Sequence, residues 1–144
     1  MNSNSYHFEL LTTVAEMKKH YDIIKQLEHG YDKKEYARLL AEMIPNGYCQ
    51  MTAYDNDKCV ALAGYWINTK LFTGKYGELD NVVVDVKYRS MGIGAQLCKK
   101  IEEDAITRGC KFMVLDCFLE NKRAQEFYNR LGYFARGFHM IKKL

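Results

Sequence analysis

The sequence predicts an α/β fold, a mixed central sheet with helices on both of its faces, and three observations carry that prediction. Two stretches nearly continuous in apolar residues, 78–86 and 111–117, bracket a segment with helical spacing. Apolar strands without alternation suit parallel neighbours covered on both faces, and the helix between them supplies a right-handed crossover. Upstream, two helix-opening patterns, Thr13-x-x-Glu16 and Asp32-x-x-Glu35, precede two strand-like runs joined by the polar turn Asp55-Asn56-Asp57.

Taken in order, residues 6–11 read as a short strand, and Thr13 opens a helix with Val14, Met17, Tyr21 and Ile24 inward. Asp32 opens a second helix with Tyr36, Leu39, Leu40 and Met43 on one side, and Pro45 stops it. Residues 47–54 and 58–67 are antiparallel strands, 70–77 a loop, and 78–86 the next strand. Ile93, Leu97, Ile101 and Ala105 share one face of a helix ending near Gly109, followed by the strand 111–117. A helix over 121–131 ends at Gly132, and residues 133–144 supply the last strand or strands. The expected order is β-α-α-β-β-β-α-β-α-β.

At 144 residues with 48% hydrophobic content and one proline, the chain reads as a single domain, 1–144, large enough for a sizeable core. A net charge of +3 without a run of basic residues gives no footprint for nucleic acid. No apolar stretch approaches the length of a membrane span, so no membrane partner is expected. The five cysteines, at 49, 59, 98, 110 and 117, form no Cys-x-x-Cys pair and no zinc spacing. They read as reduced thiols of a cytoplasmic protein, with no metal.

The most informative residues are Arg89-Ser90-Met91-Gly92-Ile93-Gly94, between a strand and a helix. Glycines there let backbone N–H groups approach a ligand closely. The helix start adds free N–H donors and the positive end of the helix dipole, and Lys87 and Arg89 add charge, so the ligand should be a phosphate or pyrophosphate. A P-loop reading fails because Gly94 is followed by Ala95-Gln96 rather than Lys-Ser/Thr. A dinucleotide fingerprint fails because Leu97 stands at its third glycine; Asp116 has the spacing of a ribose-binding acid, but too little chain follows it for a second nucleotide-binding half.

Arg89-x-x-Gly92-x-Gly94 resembles the coenzyme-A pyrophosphate loop of the GNAT superfamily of N-acetyltransferases. A second block, Asn121-x-x-Ala124-x-x-Phe127-Tyr128-x-x-x-Gly132-Tyr133, resembles the family's Asn-x-x-Ala-x-x-Phe-Tyr-x-x-x-Gly-Phe segment at the expected distance. The two motifs span about half the chain. The resemblance implies a GNAT-like fold and transfer of an acetyl group from acetyl-CoA to a primary amine by direct attack in a ternary complex. It implies a coenzyme site of Val82, Val83, Val84, Lys87, Arg89, Ser90, Met91, Gly92, Ile93, Gly94, Ala95, Asn121 and Phe127. Backbone N–H groups near Val83 and Val84 would receive the thioester oxyanion where the parallel strands splay apart.

The chemistry sets its own demands. An alkylamine of pKa near 10 is protonated at pH 7, and freeing its lone pair costs roughly 4–5 kcal/mol. Glu78 and Asp80, two residues apart on a strand, project from one face and can draw off the proton directly or through water. The resemblance registers Glu78 on a catalytic glutamate of several family members, with Asp80 second. The departing thiolate benefits from a donor, and Tyr128 holds that place in the family pattern. Its spacing with Ala124, Phe127 and Leu131 equally suits plain core packing. Asn121 combines a helix N-cap with a hydrogen bond to the pantetheine arm.

The acceptor, a small-molecule or peptide amine, depends on residues 29–32, the 70–77 loop and the C-terminal strand. Two other readings keep the cradle: a non-catalytic acyl-CoA-binding or regulatory module, and a protein lysine or N-terminal acetyltransferase. Monomer and homodimer are both compatible with the pattern.

Overall fold

A computed structural model describes residues 5–27 and 30–144; His29, expected in the acceptor region, lies outside them. Five strands form one sheet in the order β1 (His7–Leu11), β2 (Tyr48–Asp55), β3 (Lys58–Lys70), β4 (Gly74–Val84) and β5 (Phe112–Leu115). The first four pair antiparallel and β4–β5 pair parallel, with Tyr76 opposite Phe112 and Leu79 opposite Leu115. The crossover between β4 and β5 is α4 (Ile93–Thr107).

Helices cover both faces. Ile93, Leu97, Cys98 and Ile101 of α4 pack with Met51, Ala61, Ala63, Tyr65 and Leu79 on one side. On the other side Met17 of α1 (Val14–Lys18), Ile23 and Ile24 of α2 (Tyr21–Ile24) and Tyr36 and Leu40 of α3 (Lys33–Met43) cover Tyr48, Leu62 and Val83. Tyr65 ties the sheet to α4: its buried hydroxyl donates to Asp104 at 2.6 Å, and Asp104 also pairs with Arg108 at 2.9 Å.

The local signals for helix starts are realised. Thr13 and Glu16 form a reciprocal capping box, and the Asp32 carboxylate accepts from the Glu35 N–H at 2.8 Å. Asn121 caps α5 (Lys122–Arg130), its side-chain oxygen accepting from the Ala124 N–H at 3.0 Å.

Three expectations are corrected. The helix opened by Thr13 is broken after Lys18, because His20 leaves helical geometry and its Nε2 meets the Tyr54 hydroxyl at 3.0 Å. The 70–77 loop shrinks to Leu71–Phe72–Thr73, since β3 and β4 continue as a hairpin to the Lys70–Gly74 pair. Residues 133–144 form no strand: among the described residues the backbone groups of 134–144 make no backbone hydrogen bond, and the side chains of Phe134, Phe138, Met140, Ile141 and Leu144 stand exposed.

Within β4 the register against β3 shifts. Leu62 faces Val83 and Gly64 faces Asp80, so Ala63 opposes both Asn81 and Val82. This β-bulge holds Asn81 at φ +54°, a left-handed conformation that asparagine tolerates better than most residues.

Candidate active site

Beyond the Leu79–Leu115 pair, β5 turns away while β4 runs on to Val84. From Asp80 to Val84 one side of β4 therefore has no strand neighbour among the described residues, and the two parallel strands part there. A cleft of about 150 Å³ opens at this divergence, lined by Glu78, Leu79, Asp80, Asn81, Val82, Leu115, Asp116 and Tyr128. Both candidate bases and the candidate acid thus meet in one cavity, although Tyr128 lies fifty residues from Glu78 in the chain.

The Glu78 carboxyl is pushed above the ordinary glutamate range, first by burial, then by the neighbouring Asp116 charge, with Asp80 adding to it and Lys70 and His139 opposing. Asp80 is held by Trp66, whose indole N–H donates to its carboxylate at 3.1 Å. The two acids are therefore unequal: one is committed to a hydrogen bond, the other is partly desolvated beside like charge. Desolvation and like-charge proximity favour the proton-accepting role.

Tyr128 sits half-buried on α5, its ring against Phe127 and Tyr133 at centroid distances of 5.0 and 5.8 Å. Burial, with the nearby Cys98 and Cys117, pushes its hydroxyl well above the usual phenol range, so it stays protonated throughout the neutral region. Since a thiolate is a weaker base than phenolate, full proton transfer from Tyr128 would run uphill by about 2 kcal/mol or more. The phenol is thus fitted to donate a hydrogen bond to a departing sulfur.

The start of α4 has the backbone that its glycines suggest. Gly92 caps α4 at φ +79° and Ser90 precedes it at φ +65°. The Gln96 N–H, bonded to the Gly92 carbonyl at 3.2 Å, opens the helical ladder, which leaves the Ile93, Gly94 and Ala95 amides without helical partners. Among the described residues no side chain caps this end, and the first turn carries no acid. Gly94 has a packing role as well: a Cβ there would lie 3.4 Å from the Phe127 ring and 3.7 Å from Val84. That contact seats α5, and with it Tyr128, beside the start of α4.

Not every predicted coenzyme residue points to the cradle. Val83 is buried under the N-terminal helices, away from α4. Arg89 turns back so that its Nε donates to the Val84 carbonyl at 3.2 Å, while Lys87 and Met91 are exposed. The Asn121 oxygen is occupied by its capping bond. Asp116 is the cleft residue that sequence reasoning set aside; its place just past the carboxyl end of a parallel strand, where ligands meet open α/β sheets, was the available signal. Among the described residues no group of three His, Cys, Asp or Glu is placed to hold a metal ion, and no helix is long and apolar enough to cross a membrane.

A free helix N-terminus, splayed parallel strands and a phenol sharing a cleft with carboxylates suit an acyltransferase that uses a phosphorylated thioester coenzyme. The chain matches the family described as "Acetyltransferase (GNAT) family" over residues 14–133. It is 29% identical over 134 residues to the Bos taurus thialysine N-epsilon-acetyltransferase, covering 85% of this chain and 74% of that one. To the Arabidopsis thaliana glucosamine 6-phosphate N-acetyltransferase it is 28% identical over 143 residues, covering 83% and 94%. A solved aminoglycoside N-acetyltransferase in complex with CoA superposes with a TM-score of 0.83 at 17% identity, covering 100% and 99%. The chain belongs to the GNAT family and is an acetyl-CoA-dependent N-acetyltransferase that transfers the acetyl group to an amine.

Proposed function

We propose that the acceptor is a small-molecule primary amine of cationic character, bound in the acid-lined cleft as one partner of a ternary complex with acetyl-CoA. The observation that carries this is the convergence of Glu78, Asp80, Asp116 and Tyr128 on one cavity. Three carboxylates attract an ammonium group and repel a phosphate. That favours an acceptor like the one named for the thialysine enzyme over one like glucosamine 6-phosphate.

In the reaction, Glu78 takes the ammonium proton, directly or through water, as the amine approaches. The nitrogen attacks the thioester carbonyl and the oxyanion turns to the Val84 amide, which faces away from β3 because the next N–H, that of Asp85, donates to Val60; as the C–S bond breaks, Tyr128 hydrogen-bonds to the sulfur, which takes up the second proton lost by the acylated nitrogen to leave as a thiol. The Ile93, Gly94 and Ala95 amides hold the pyrophosphate, with Lys87, Arg89, Ser90 and Met91 around it, and Val82 and Asn121 flank the pantetheine arm. Acetyl-CoA supplies the acyl group; the protein supplies position, a base and a hydrogen-bond donor. The five free cysteines suit a reducing compartment, and we assign the enzyme to the cytoplasm, acting as one domain.

The test is release of free thiol from acetyl-CoA with a panel of diamines, amino acids bearing side-chain amines, amino sugars, sugar phosphates and lysine peptides. Diamines and lysine-like amines are expected to turn over fastest. Preferred turnover of a phosphorylated amine would reverse the assignment of the cleft, faster turnover of peptides would make the acceptor a protein, and no turnover with any amine would indicate a binding module.

A further inference from the structure

Trp66, the chain's one tryptophan, stands beside both candidate bases without lining the cleft itself. On β3 it is the direct cross-strand partner of Glu78, so the two side chains share a face of the sheet. Its indole N–H passes diagonally to the next acid on that face, donating to Asp80 Oδ2 at 3.1 Å. On the opposite flank its partner is Tyr48 of β2, with ring centroids 5.1 Å apart. The Tyr48 ring is 3% exposed, and its hydroxyl donates to Asn81 Oδ1 at 3.4 Å. Two consecutive cleft residues, Asp80 and Asn81, thus each receive a hydrogen bond from one ring of a packed pair.

The donors behind them run in one direction. Gln50, wholly buried, donates from Nε2 to the Tyr36 hydroxyl at 2.8 Å and to the Tyr48 hydroxyl at 3.2 Å. A hydroxyl that accepts there keeps its single proton for Asn81. Room for the Tyr48 hydroxyl comes from Gly64, the cross-strand partner of Asp80, where a Cβ would lie 2.0 Å from that oxygen. A tryptophan that only fills space needs some partner for its N–H, and a carbonyl or water supplies one. Here the partner is a carboxylate of the cleft, and a charge-assisted bond of this kind fixes the orientation of the acid.

We propose that Trp66, backed by Tyr48, is a positioning residue of the acceptor site: the two rings hold Asp80 and Asn81, so that Asp80 presents one fixed carboxylate to the acceptor while Glu78 is left to take the proton. With Oδ2 engaged by the indole, Asp80 keeps Oδ1 for the N–H groups of the acceptor. Both rings act through β4 and neither meets the reacting atoms. The inference rests on the cleft being the acceptor site, whichever amine fills it.

Trp66→Phe keeps an aromatic ring and removes the N–H. With acetyl-CoA saturating and the panel amine turned over fastest as acceptor, it should lower kcat/KM for the amine about tenfold and leave Kd for coenzyme A unchanged. Tyr48→Phe should lower it about threefold, again with coenzyme affinity unchanged. Asp80→Ala should lower kcat/KM as well, and adding Trp66→Phe to it should cost no more, because the indole acts through that carboxylate. The single indole signal in a proton–nitrogen correlation NMR spectrum needs no acceptor, and it should move in Asp80→Ala. Unchanged kcat/KM in Trp66→Phe or Tyr48→Phe would overturn the positioning role and leave the cleft assignment standing. So would an equal further loss in the Asp80→Ala background, a parallel fall in coenzyme affinity, or an unmoved indole signal. Unchanged kcat/KM in Asp80→Ala, or no turnover with any amine, would instead remove the cleft as acceptor site and this inference with it.

Discussion

Replacing Gly92 with Leu separates backbone strain from ligand exclusion. Gly92 is held at φ +79°, and among the described residues no atom beyond its own stretch of chain lies within 4 Å of where its Cβ would stand. A Cβ there is unobstructed, so the cost to the empty protein is chiefly the left-handed backbone, about 1–2 kcal/mol. For a chain of this size that lowers Tm by about 2–4 °C per kcal/mol. The open space is nevertheless the approach to the Ile93, Gly94 and Ala95 amides. Losing one or two hydrogen bonds to a charged pyrophosphate costs about 1.5–3 kcal/mol each, so Kd for coenzyme A should rise roughly ten- to a hundredfold or more. Gly109 provides the control: it holds φ +87°, is equally unobstructed, and lies about 22 Å away at the other end of α4. Gly109→Leu should lower Tm similarly and leave Kd unchanged, as read by calorimetry. Equal affinity in the wild type and Gly92→Leu, or equal weakening in both variants, would refute the assignment of the cradle.

Three further outcomes are expected. Tyr128→Phe should lower kcat by about a hundredfold or more with coenzyme Kd unchanged; unchanged turnover removes the phenol from the chemistry. Because the Glu78 pKa is raised in the folded protein, kcat/KM should climb with pH as Glu78 ionises above the ordinary glutamate range. The climb should shift toward acid in Asp116→Asn. The same shift means that the folded state binds the extra proton, so its contribution to stability is present at low pH and lost as pH rises through the folded pKa. Glu78→Gln should therefore raise Tm at neutral pH and give no gain below the ordinary glutamate pKa; a gain that persists in acid contradicts the linkage. Gly64→Ala places a Cβ 2.0 Å from the Tyr48 hydroxyl oxygen, and displacing that ring also disturbs its bonds with Gln50 at 3.2 Å and Asn81 at 3.4 Å. The combined overpacking and lost hydrogen bonding should cost about 2–5 kcal/mol in urea unfolding; a change under about 0.5 kcal/mol would show that the site relaxes freely.

What the sequence made legible was local or periodic. Thr13, Asp32 and Asn121 announce their helices because a cap is decided within four residues. The α4 crossover is visible because its apolar face and two flanking apolar strands repeat over many positions. The Gly92 turn is readable because few residue types fit its backbone. What stayed hidden depends on contacts distant in the chain. His20 breaks a helix through a partner on β2, thirty-four residues away. Residues 74–77 join β4 despite two glycines because β3 pairs with them. Asp116 enters the cleft only because β5 stops pairing after Leu115. The expected final strand has the right alternation but finds no pairing partner among the described residues.

The one-residue excess at Asn81 acts as a phase shift in the pleat of β4. Before it, even-numbered residues point toward the N-terminal helices: Glu78 and Asp80 lie on the side of Trp66, and Leu79 faces α4. After it the parity reverses, and Val82 and Val84 join the α4 side while Val83 turns the other way. An unshifted strand that kept both valines under α4 would drive both carboxylates into that same apolar layer, at a cost of several kcal/mol for each charge. A single inserted position thus lets one continuous strand turn Glu78 and Asp80 away from α4 while Leu79, Val82 and Val84 all pack on the α4 side.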